Sequence, residues 1–411
     1  MKIVQSYWSH PSRFKSENSH GRSNGGFINE RFHYMGWALS CLTLKRFYKE
    51  VELVTDREGI SLFIEKLDLP YTNVTSCLDE KNKYHPDLWA IGKIKAYQIQ
   101  DEPFLHVDGD IFIWKKFGNV QFHKKPLIVQ NIDLDYPWYS KMMIDIEESF
   151  NYIPIEIIEA YKIMKDFTAV NAGIIGGTDI AFFKKYTESA FEFVDKNISE
   201  LGKIDIGLFN TIFEQYLFYC MAKAQNKIIQ PLFNLKPHSE FTGLMNFDLV
   251  PKLSSYIHLM GFAKKNIYAC EQIEMRLKYE FPKYYNYFTK LFPVSYFNSP
   301  GNRFKNLKRA YSFLAKADTN TILNQKFCLS NHVSVNSGCL EFIQPQFSKK
   351  EKIKLEGWDL MLPNFSEPIC GFDIIDAVSE GHSEKEIKDL KPKIVEFLMA
   401  KLIYKDILQF A

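Results

Sequence analysis

The first part of the chain alternates short apolar runs with longer segments of helical periodicity, and this alternation restricts the fold more than any other feature. Runs 2–8, 51–56 and 104–107 have the length and composition of buried strands. Segments 29–48 and 87–100 between them repeat apolar residues at helical spacing. Strands that alternate with helices predict an α/β fold with a mainly parallel sheet and helices on both faces.

The pattern continues beyond residue 120. Runs 126–131 and 169–177 predict further strands, and segments 178–197 and 205–226 predict amphipathic helices. Thr178 or Asp179 is a suitable N-cap for the first of these helices, because either side chain can accept a hydrogen bond from the first turn.

A change in composition predicts a domain boundary near residue 298. Residues 298–320 are basic and polar and follow an aromatic-rich stretch. We therefore predict a first domain at 1–297, a linker at 298–320 and a small second domain at 321–411. The second domain contains short β-like runs and two apolar helical segments, the latter starting with the capping box Ser383–Glu386, which together favour a winged helix.

Charge and cysteine content exclude several classes of protein. Lys and Arg total 51 against 49 Asp and Glu, so the net charge of +2 gives no general attraction for nucleic acid or anionic membranes. The seven cysteines are scattered without a CxxC pair, which favours reduced thiols over a disulfide framework. With neither an apolar signal region nor an apolar run long enough to span a membrane, the sequence predicts a cytoplasmic protein.

Two aspartates interrupt an otherwise apolar stretch. Asp108 and Asp110 flank Gly109 directly after the predicted strand 104–107, and another apolar run follows them. Ligands of open α/β sheets lie beyond the carboxyl ends of the strands, and two carboxylates at this spacing can face one hard divalent cation. A solvated turn rich in Asp and Gly would have the same residues, so this stretch alone leaves both the metal site and the turn as interpretations.

A second constellation has the spacing H-x-x-G-x-x-K. His258 offers an imidazole for a metal, Gly261 allows the backbone to approach a phosphate, and Lys264 supplies a positive point charge. Each of these residues taken alone is more often structural.

Two further motifs place polar side chains in apolar surroundings. Asn171 precedes Ala172 and Gly173 in the predicted strand 169–177, where an amide beside a glycine suits close approach of a ligand. Glu214 and Gln215 lie in a predicted apolar helix. A buried polar group without a partner costs about 1–3 kcal/mol, so this pair either bonds to the protein locally or faces a substrate.

The order of these four motifs resembles that of nucleotide-sugar glycosyltransferases of the GT-A fold, especially glycosyltransferase family 8, over about residues 1–290. The resemblance implies a GT-A (Rossmann-like) mixed sheet flanked by helices. It also implies Mn²⁺, or Mg²⁺, as cofactor. The implied metal ligands are Asp108, Asp110 and His258, and the implied diphosphate contacts are Gly261 and Lys264.

The same resemblance assigns the remaining motifs to the sugar. It implies that Asn171, Ala172 and Gly173 line the sugar and acceptor pocket, and that Glu214 and Gln215 take the catalytic positions beside the transferred sugar. Glu214 stands where the family usually has Asp, and Lys265 and Asn266 follow Lys264 where it usually has Pro-Trp.

Residues at the ends of the predicted strands are further candidates for donor binding. Tyr7 and Trp8 are candidates for stacking on the base, and Asp56, after Thr55, for contact with the base or ribose. Aromatic residues that end a strand more often belong to the core. Lys93 and Lys95 precede Asp108 on a predicted helix and are candidates for contacts with phosphate or sugar.

We therefore expect a metal-dependent hexosyltransferase that uses a nucleotide sugar, with a uridine diphosphate sugar and retention of configuration implied by the resemblance. The second domain resembles PqqD-like peptide-recognition domains, which bind leader peptides by adding a strand to a sheet edge. This resemblance favours a peptide or protein acceptor, whereas the acidic stretch 371–390 disfavours DNA. The alternatives are a sugar-phosphate nucleotidyltransferase and a non-catalytic binding module of GT-A ancestry.

Overall fold

The computed structural model describes residues 1–13, 24–27, 30–134, 136–163, 167–234, 244–292, 309–310, 312–314, 316–336, 338–344, 349–379, 383–403 and 407–411. These residues form two compact units. One contains Met1–Met245 and His258–Lys265, and the other contains Asn246–Ile257 and Asn266–Ala411.

The first unit is built on a seven-stranded mixed sheet in the order β3-β2-β1-β4-β7-β6-β8. Its strands, with the short β5 outside the sheet, are β1 Lys2–Tyr7, β2 Val51–Thr55, β3 Asn73–Ser76, β4 Phe104–Val107, β5 Ile111–Ile113, β6 Leu127–Leu134, β7 Thr168–Gly177 and β8 Ile229–Pro231. A further short strand, β9 Tyr256–His258, has its last residue, His258, in this unit. Strands β1 to β4 are parallel to one another, β7 is antiparallel to β4 and β6, and β8 is parallel to β6. The predicted α/β fold with a mainly parallel sheet is confirmed.

Helices flank this sheet. They are α1 His10–Arg13, α2 Glu30–Phe47, α3 Arg57–Gly59, α4 Ile91–Gln98, α5 Pro137–Ser149, α6 Ile155–Ile163, α7 Ile180–Asp195, α8 Ile206–Thr211 and α9 Leu217–Ala224. Two π-helical turns, Ile60–Lys66 and Ile212–Tyr216, continue α3 and join α8 to α9. Short 3₁₀ turns lie at Asp79–Lys83, Phe122–Lys124, Ile198–Lys203 and Gly261–Lys265. The predicted cap is Asp179, whose side chain accepts from the backbone of Phe182 at 3.1 Å.

The central strands owe their position to continuous apolar sequence. Every residue of β2 and β4 is buried, which is typical of parallel strands covered on both faces. Their carboxyl ends carry the polar residues Asp56 and Asp108. The sheet therefore places Asp108 at the carboxyl end of its strands, where open α/β sheets bind ligands.

The second unit contains two antiparallel sheets of three strands, in the orders β14-β10-β15 and β11-β12-β13. The strands are β10 Lys326–Leu329, β11 Val333–Asn336, β12 Cys339–Gln344, β13 Lys349–Lys354, β14 Ile369–Cys370 and β15 Leu408–Phe410. Its helices are α10 Ile267–Glu280, α11 Pro282–Leu291, α12 Thr319–Asn324, α13 Gly371–Val378 and α14 Glu384–Ile403, with 3₁₀ turns at Phe247–Leu249 and Gly357–Ser366.

The division into units differs from the predicted boundary at 298–320. Helix α10 groups with the C-terminal residues because Met275 is buried in their apolar cluster and Tyr279 packs against it. The hydroxyls of Tyr279 and Ser312 are also hydrogen-bonded, 2.6 Å apart. Residues 298–308 of the predicted linker lie outside the described residues. Among the helices of the described ranges, none is long and apolar enough to cross a membrane.

Candidate metal centre

Three predicted metal ligands converge in the first unit. Asp108 follows β4, Asp110 precedes β5, and His258 ends β9. One ligand atom of each lies within 4.8 Å of the other two. The backbone N–H of Leu259 donates to the carbonyl of Asp110 at 3.1 Å, which ties the two chain segments together. The structure thus brings side chains 148 residues apart in sequence, Asp110 and His258, to one point.

The turn between the aspartates depends on a glycine. A Cβ atom at Gly109 would lie 2.4 Å from the indole of Trp37 on α2, so no larger residue fits without displacing that ring. The backbone N–H of Asp108 donates to the carbonyl of Gly173 at 2.9 Å. Helix α2 and strand β7 therefore fix the turn from two sides.

The donor set fits a divalent cation. Asp110 Oδ1 is buried and, within the described part of the chain, accepts no hydrogen bond, while it lies 3.4 Å from His258 Nε2. Buried carboxylate oxygens normally accept a hydrogen bond or contact a cation, so this oxygen is available to bind a metal ion. Carboxylates suit Mn²⁺ and Mg²⁺, and the imidazole adds a nitrogen ligand that favours transition metals.

The two carboxylates have opposite electrostatic environments. Burial alone would raise the pKa of Asp110, but the ammonium of Lys264, 2.6 Å away, holds it well below its usual range. Burial and the neighbouring Asp110 raise the pKa of Asp108 against the opposing effect of Lys93. Asp110 therefore stays ionised, and Asp108 takes up a proton at a higher pH.

Lys93 connects the aspartates to Glu214. Its ammonium lies 3.0 Å from Asp108 Oδ1 and 2.7 Å from Glu214 Oε1, and it donates to the carbonyl of Ala172 at 3.1 Å. Burial would lower the pKa of Lys93, but Asp108 and Glu214 outweigh burial and raise it. Lys93 is thus a buried cation shared between two carboxylates.

Glu214 belongs to this cluster and Gln215 does not. Glu214 is fully buried, its Oε1 also accepts from Tyr97 at 2.9 Å, and its Oε2 accepts no hydrogen bond from any described residue. Burial raises the pKa of Glu214, although Lys93 opposes this. Gln215 instead accepts from the hydroxyl of Tyr139 at 3.1 Å. The two residues diverge on the π-helical turn Ile212–Tyr216, a helix form often found at functional sites.

The predicted sugar-pocket residues lie on β7 beside Asp108. Ala172 and Gly173 offer their carbonyls to Lys93 and Asp108, as described above. The side chain of Asn171 accepts from the N–H of Gly173 at 3.0 Å. Gly261, predicted to contact phosphate, begins the 3₁₀ turn Gly261–Lys265 with a φ of +49°, a conformation that favours glycine.

The residues predicted to contact the base and ribose are in contact with other residues of the protein. Tyr7 and Trp8 are buried; Tyr7 packs edge-on against Trp37 and Trp8 donates to Asn82. Asp56 caps α3 at the N–H of Gly59. It also accepts from the backbone and hydroxyl of Ser9.

These contacts agree with the core interpretation of the two aromatic residues and leave the predicted base contacts as predictions. Burial raises the pKa of Tyr7 to about 12, so its hydroxyl stays neutral. Lys95 lies 3.3 Å from Glu80 and, in contrast to Lys93, has no contact with the aspartates among the described residues.

Several residues of the site escape prediction from the sequence. Gln130 on β6 bonds to His258 Nδ1 at 2.6 Å, and Tyr97 and Trp37 support Glu214 and Gly109. The available signal for Gln130 is the polar pair at 130–131 directly after the apolar residues 127–129. The aromatic residues carry no such signal, because Tyr and Trp are common in buried helices for packing alone.

Comparison with known proteins places the N-terminal part of the chain in a family. The model of a family of unknown function, DUF6734, matches residues 1–291. The chain belongs to this family. Every predicted site residue lies within the DUF6734 match, whereas strands β10 to β15 follow it. No curated protein matches the chain.

Proposed function

We propose that this member of DUF6734 is a metal-dependent glycosyltransferase of GT-A type that transfers a sugar from a nucleoside diphosphate sugar. The observation that carries the proposal is the convergence of Asp108, Asp110 and His258, with the ammonium of Lys264 at the same carboxylate. A site of three protein ligands leaves coordination positions for phosphate oxygens and water. When bound, a divalent cation there would neutralise the diphosphate of the donor and so improve it as a leaving group.

The residues of the chain itself supply the remaining stabilisation. Glycosyl transfer passes through a state with cationic character on the sugar while negative charge grows on the leaving group. Lys264 places a positive charge at the edge of the metal site, where it favours that charge separation over the ground state.

We include Glu214 in the proposal as the residue that acts on the sugar. Its Oε2 accepts no hydrogen bond from the described part of the chain, and Lys93 and Tyr97 hold its other oxygen. A fixed carboxylate of this kind can stabilise a developing positive charge at the anomeric carbon. The resemblance to glycosyltransferase family 8 favours retention of configuration and a uridine diphosphate sugar.

The second unit suits recognition of a peptide or protein acceptor. Its two antiparallel sheets, of three strands each, have outer strands to which an extended peptide can add. We include in the proposal the winged-helix arrangement of α13 and α14 and the resemblance to PqqD-like domains. In this proposal the second unit recognises the acceptor and the first unit binds the donor.

Hydrolysis of nucleotide sugars tests the proposal. We expect the protein to release the nucleoside diphosphate from one member of a panel of nucleotide sugars with Mn²⁺, and to stop when EDTA is added. Asp110→Asn should lower this rate by at least about 100-fold, because several kcal/mol of leaving-group stabilisation is lost. Asp101→Asn is the matched control, since Asp101 lies just before β4 and its side chain is 84% exposed.

The outcomes separate the alternatives. Unchanged hydrolysis in Asp110→Asn would contradict the assignment of the metal site. Binding of Mn²⁺ and a nucleotide sugar without turnover would favour a non-catalytic module, and formation of pyrophosphate from a nucleoside triphosphate would favour a nucleotidyltransferase.

A further inference from the structure

We propose that Gln130 is a positioning residue that fixes the imidazole of His258 with its Nε2 lone pair directed at Asp110. The inference deepens the proposed function, because it rests on the proposed metal site. It does not depend on which sugar is transferred, or on whether transfer occurs.

The hydrogen bonds around Gln130 determine which of its side-chain atoms faces the imidazole. Its Nε2 donates to Asn131 Oδ1 at 3.0 Å, so its Oε1 is the atom 2.6 Å from His258 Nδ1. A carbonyl oxygen can only accept, and Nδ1 must therefore carry the proton. In the neutral ring, Nε2 then has a lone pair and lies 3.4 Å from Asp110 Oδ1. Two acceptors that face each other in this way are suited to share a cation.

The next residues along β6 fix the orientation of the amide. Asn131 donates from Nδ2 to Asp133 Oδ1 at 2.7 Å, so its oxygen is left to accept from Gln130. Gln130 and Asn131 are both fully buried, and Asp133 is nearly so. If the amide of Gln130 flipped, its oxygen would face the oxygen of Asn131. This series of hydrogen bonds thus favours one orientation of the Gln130 amide, with its oxygen toward the imidazole of His258.

Two backbone features make room for this contact. The pairing of β6 with β7 shifts register between Val129 and Asn131, and such bulges redirect side chains beside functional sites. On β7, a Cβ atom at Gly173 would lie 2.4 Å from His258 Cε1 and 2.6 Å from Gln130 Oε1. A glycine at 173 is therefore needed where the amide and the imidazole meet.

The consequence is a defined contribution to cation binding. Histidine ligands commonly donate their second N–H to a partner that fixes ring orientation, and loss of that partner typically lowers metal affinity by about 10- to 100-fold. We expect the same range for replacement of Gln130.

Mn²⁺ affinity of the full chain, measured by electron paramagnetic resonance, is the first test. Gln130→Leu should weaken Mn²⁺ binding by about 10- to 100-fold. Gln130→Glu, which keeps an acceptor oxygen for Nδ1, should recover most of the affinity. Gln100→Leu is the matched control, because Gln100 is another buried glutamine, with its amide bonded to the carbonyl of Ala96. It should bind as the wild type does.

The tautomer of His258 in the metal-free protein is the second test. ¹⁵N chemical shifts of the imidazoles, with His258 assigned by its loss in His258→Asn, should show Nδ1–H in the wild type and in Gln130→Glu. Gln130→Leu should shift the ring toward Nε2–H. An Nε2–H tautomer in the wild type, or an unchanged tautomer in Gln130→Leu, would overturn the inference.

The two tests also separate failure of the inference from failure of the proposed function. If the wild type binds no Mn²⁺, the proposed function is contradicted, and the tautomer alone then decides the role of Gln130. If Mn²⁺ binds equally well to the wild type and to Gln130→Leu, the inference is contradicted and the metal site stands.

Discussion

At the scale of single residues, two aspartates two positions apart differ in chemistry because their neighbours differ. Lys264 lowers the pKa of Asp110, whereas burial and the repulsion of Asp110 outweigh Lys93 and raise the pKa of Asp108. The local sequence is nearly symmetrical about Gly109 and gives no hint of this difference. It arises from residues that approach from distant parts of the chain.

This asymmetry predicts the pH dependence of cation binding. The pKa of Asp108 is raised, so a proton competes with the cation at this carboxylate at higher pH than at Asp110. Mn²⁺ affinity should therefore fall as the pH decreases through the raised pKa of Asp108. Titration of the full chain with Mn²⁺ at several pH values checks this. An affinity that is unchanged down to the ordinary pKa range of aspartate, ~3.9, would contradict it.

Asp248 in the second unit predicts a separate pH effect on stability. Burial raises its pKa to about 8, against the attraction of Lys401 and Arg276. The folded chain therefore holds this proton more tightly than the unfolded chain, whose aspartate pKa is ~3.9. The resulting stability is complete below about pH 4 and is lost as the pH rises through about 8.

Asp248→Asn has no such proton to lose. Relative to the wild type, its free energy of unfolding should rise by at least about 1 kcal/mol between about pH 5 and about pH 8.5. Urea unfolding of both proteins at the two pH values measures this. The same difference between the proteins at both values would show that Asp248 does not titrate in this range.

The residues of the candidate site differ in how well the sequence predicts them. Asp108, Asp110, His258 and Lys264 have recognisable spacing, and the structure brings them together. Gln130 has no local motif, since its role depends on a bulge and on a partner 128 residues away.

At the scale of elements, the apolar pattern predicts the strands well because burial on both faces leaves a continuous signal. Predicted strands 51–56 and 169–177 correspond to β2 Val51–Thr55 and β7 Thr168–Gly177. Helices α5 and α6 lie where no element was predicted. The proline at the first position of α5 is a start signal that periodicity alone does not use.

The contact between Trp37 on α2 and the turn Asp108–Asp110 predicts the effect of a methyl group at position 109. Gly109→Ala places a Cβ atom 2.4 Å from the indole of Trp37, so the helix or the turn must shift. We expect a loss of about 1–3 kcal/mol in stability, together with weaker Mn²⁺ binding.

Thermal unfolding and Mn²⁺ titration measure both effects. Gly202→Ala is the control, because a Cβ atom there has no neighbour within 4 Å. Equal behaviour of the two variants would mean that the contact with Trp37 does not position the turn.

At the scale of the whole molecule, composition predicts a division at residues 298–320, whereas the contacts of the described residues group helix α10 with the C-terminal residues. The basic segment after residue 298 is a visible change in the sequence, whereas the packing of α10 is not. Because Met275 is buried in the apolar cluster of the second unit, helix α10 depends on residues that follow the predicted boundary. Long-range packing of this kind cannot be inferred from local composition.

This dependence predicts the behaviour of a truncated chain. A chain that ends at residue 297 keeps α10 but lacks the cluster that buries Met275. It should bind more of a hydrophobic dye such as ANS and unfold at a lower temperature than the full chain. Equal dye binding and an equal melting temperature would show that 1–297 is an independent domain after all.

The central claim is that Asp108, Asp110 and His258 bind one divalent cation together. Mn²⁺ binding to the full chain, measured by electron paramagnetic resonance, tests it most directly. The wild type and the exposed control Asp101→Asn should each bind one Mn²⁺ per chain, and Asp110→Asn and His258→Asn should bind at least about tenfold more weakly. Equal binding by all four proteins, or no binding by the wild type, would contradict the claim.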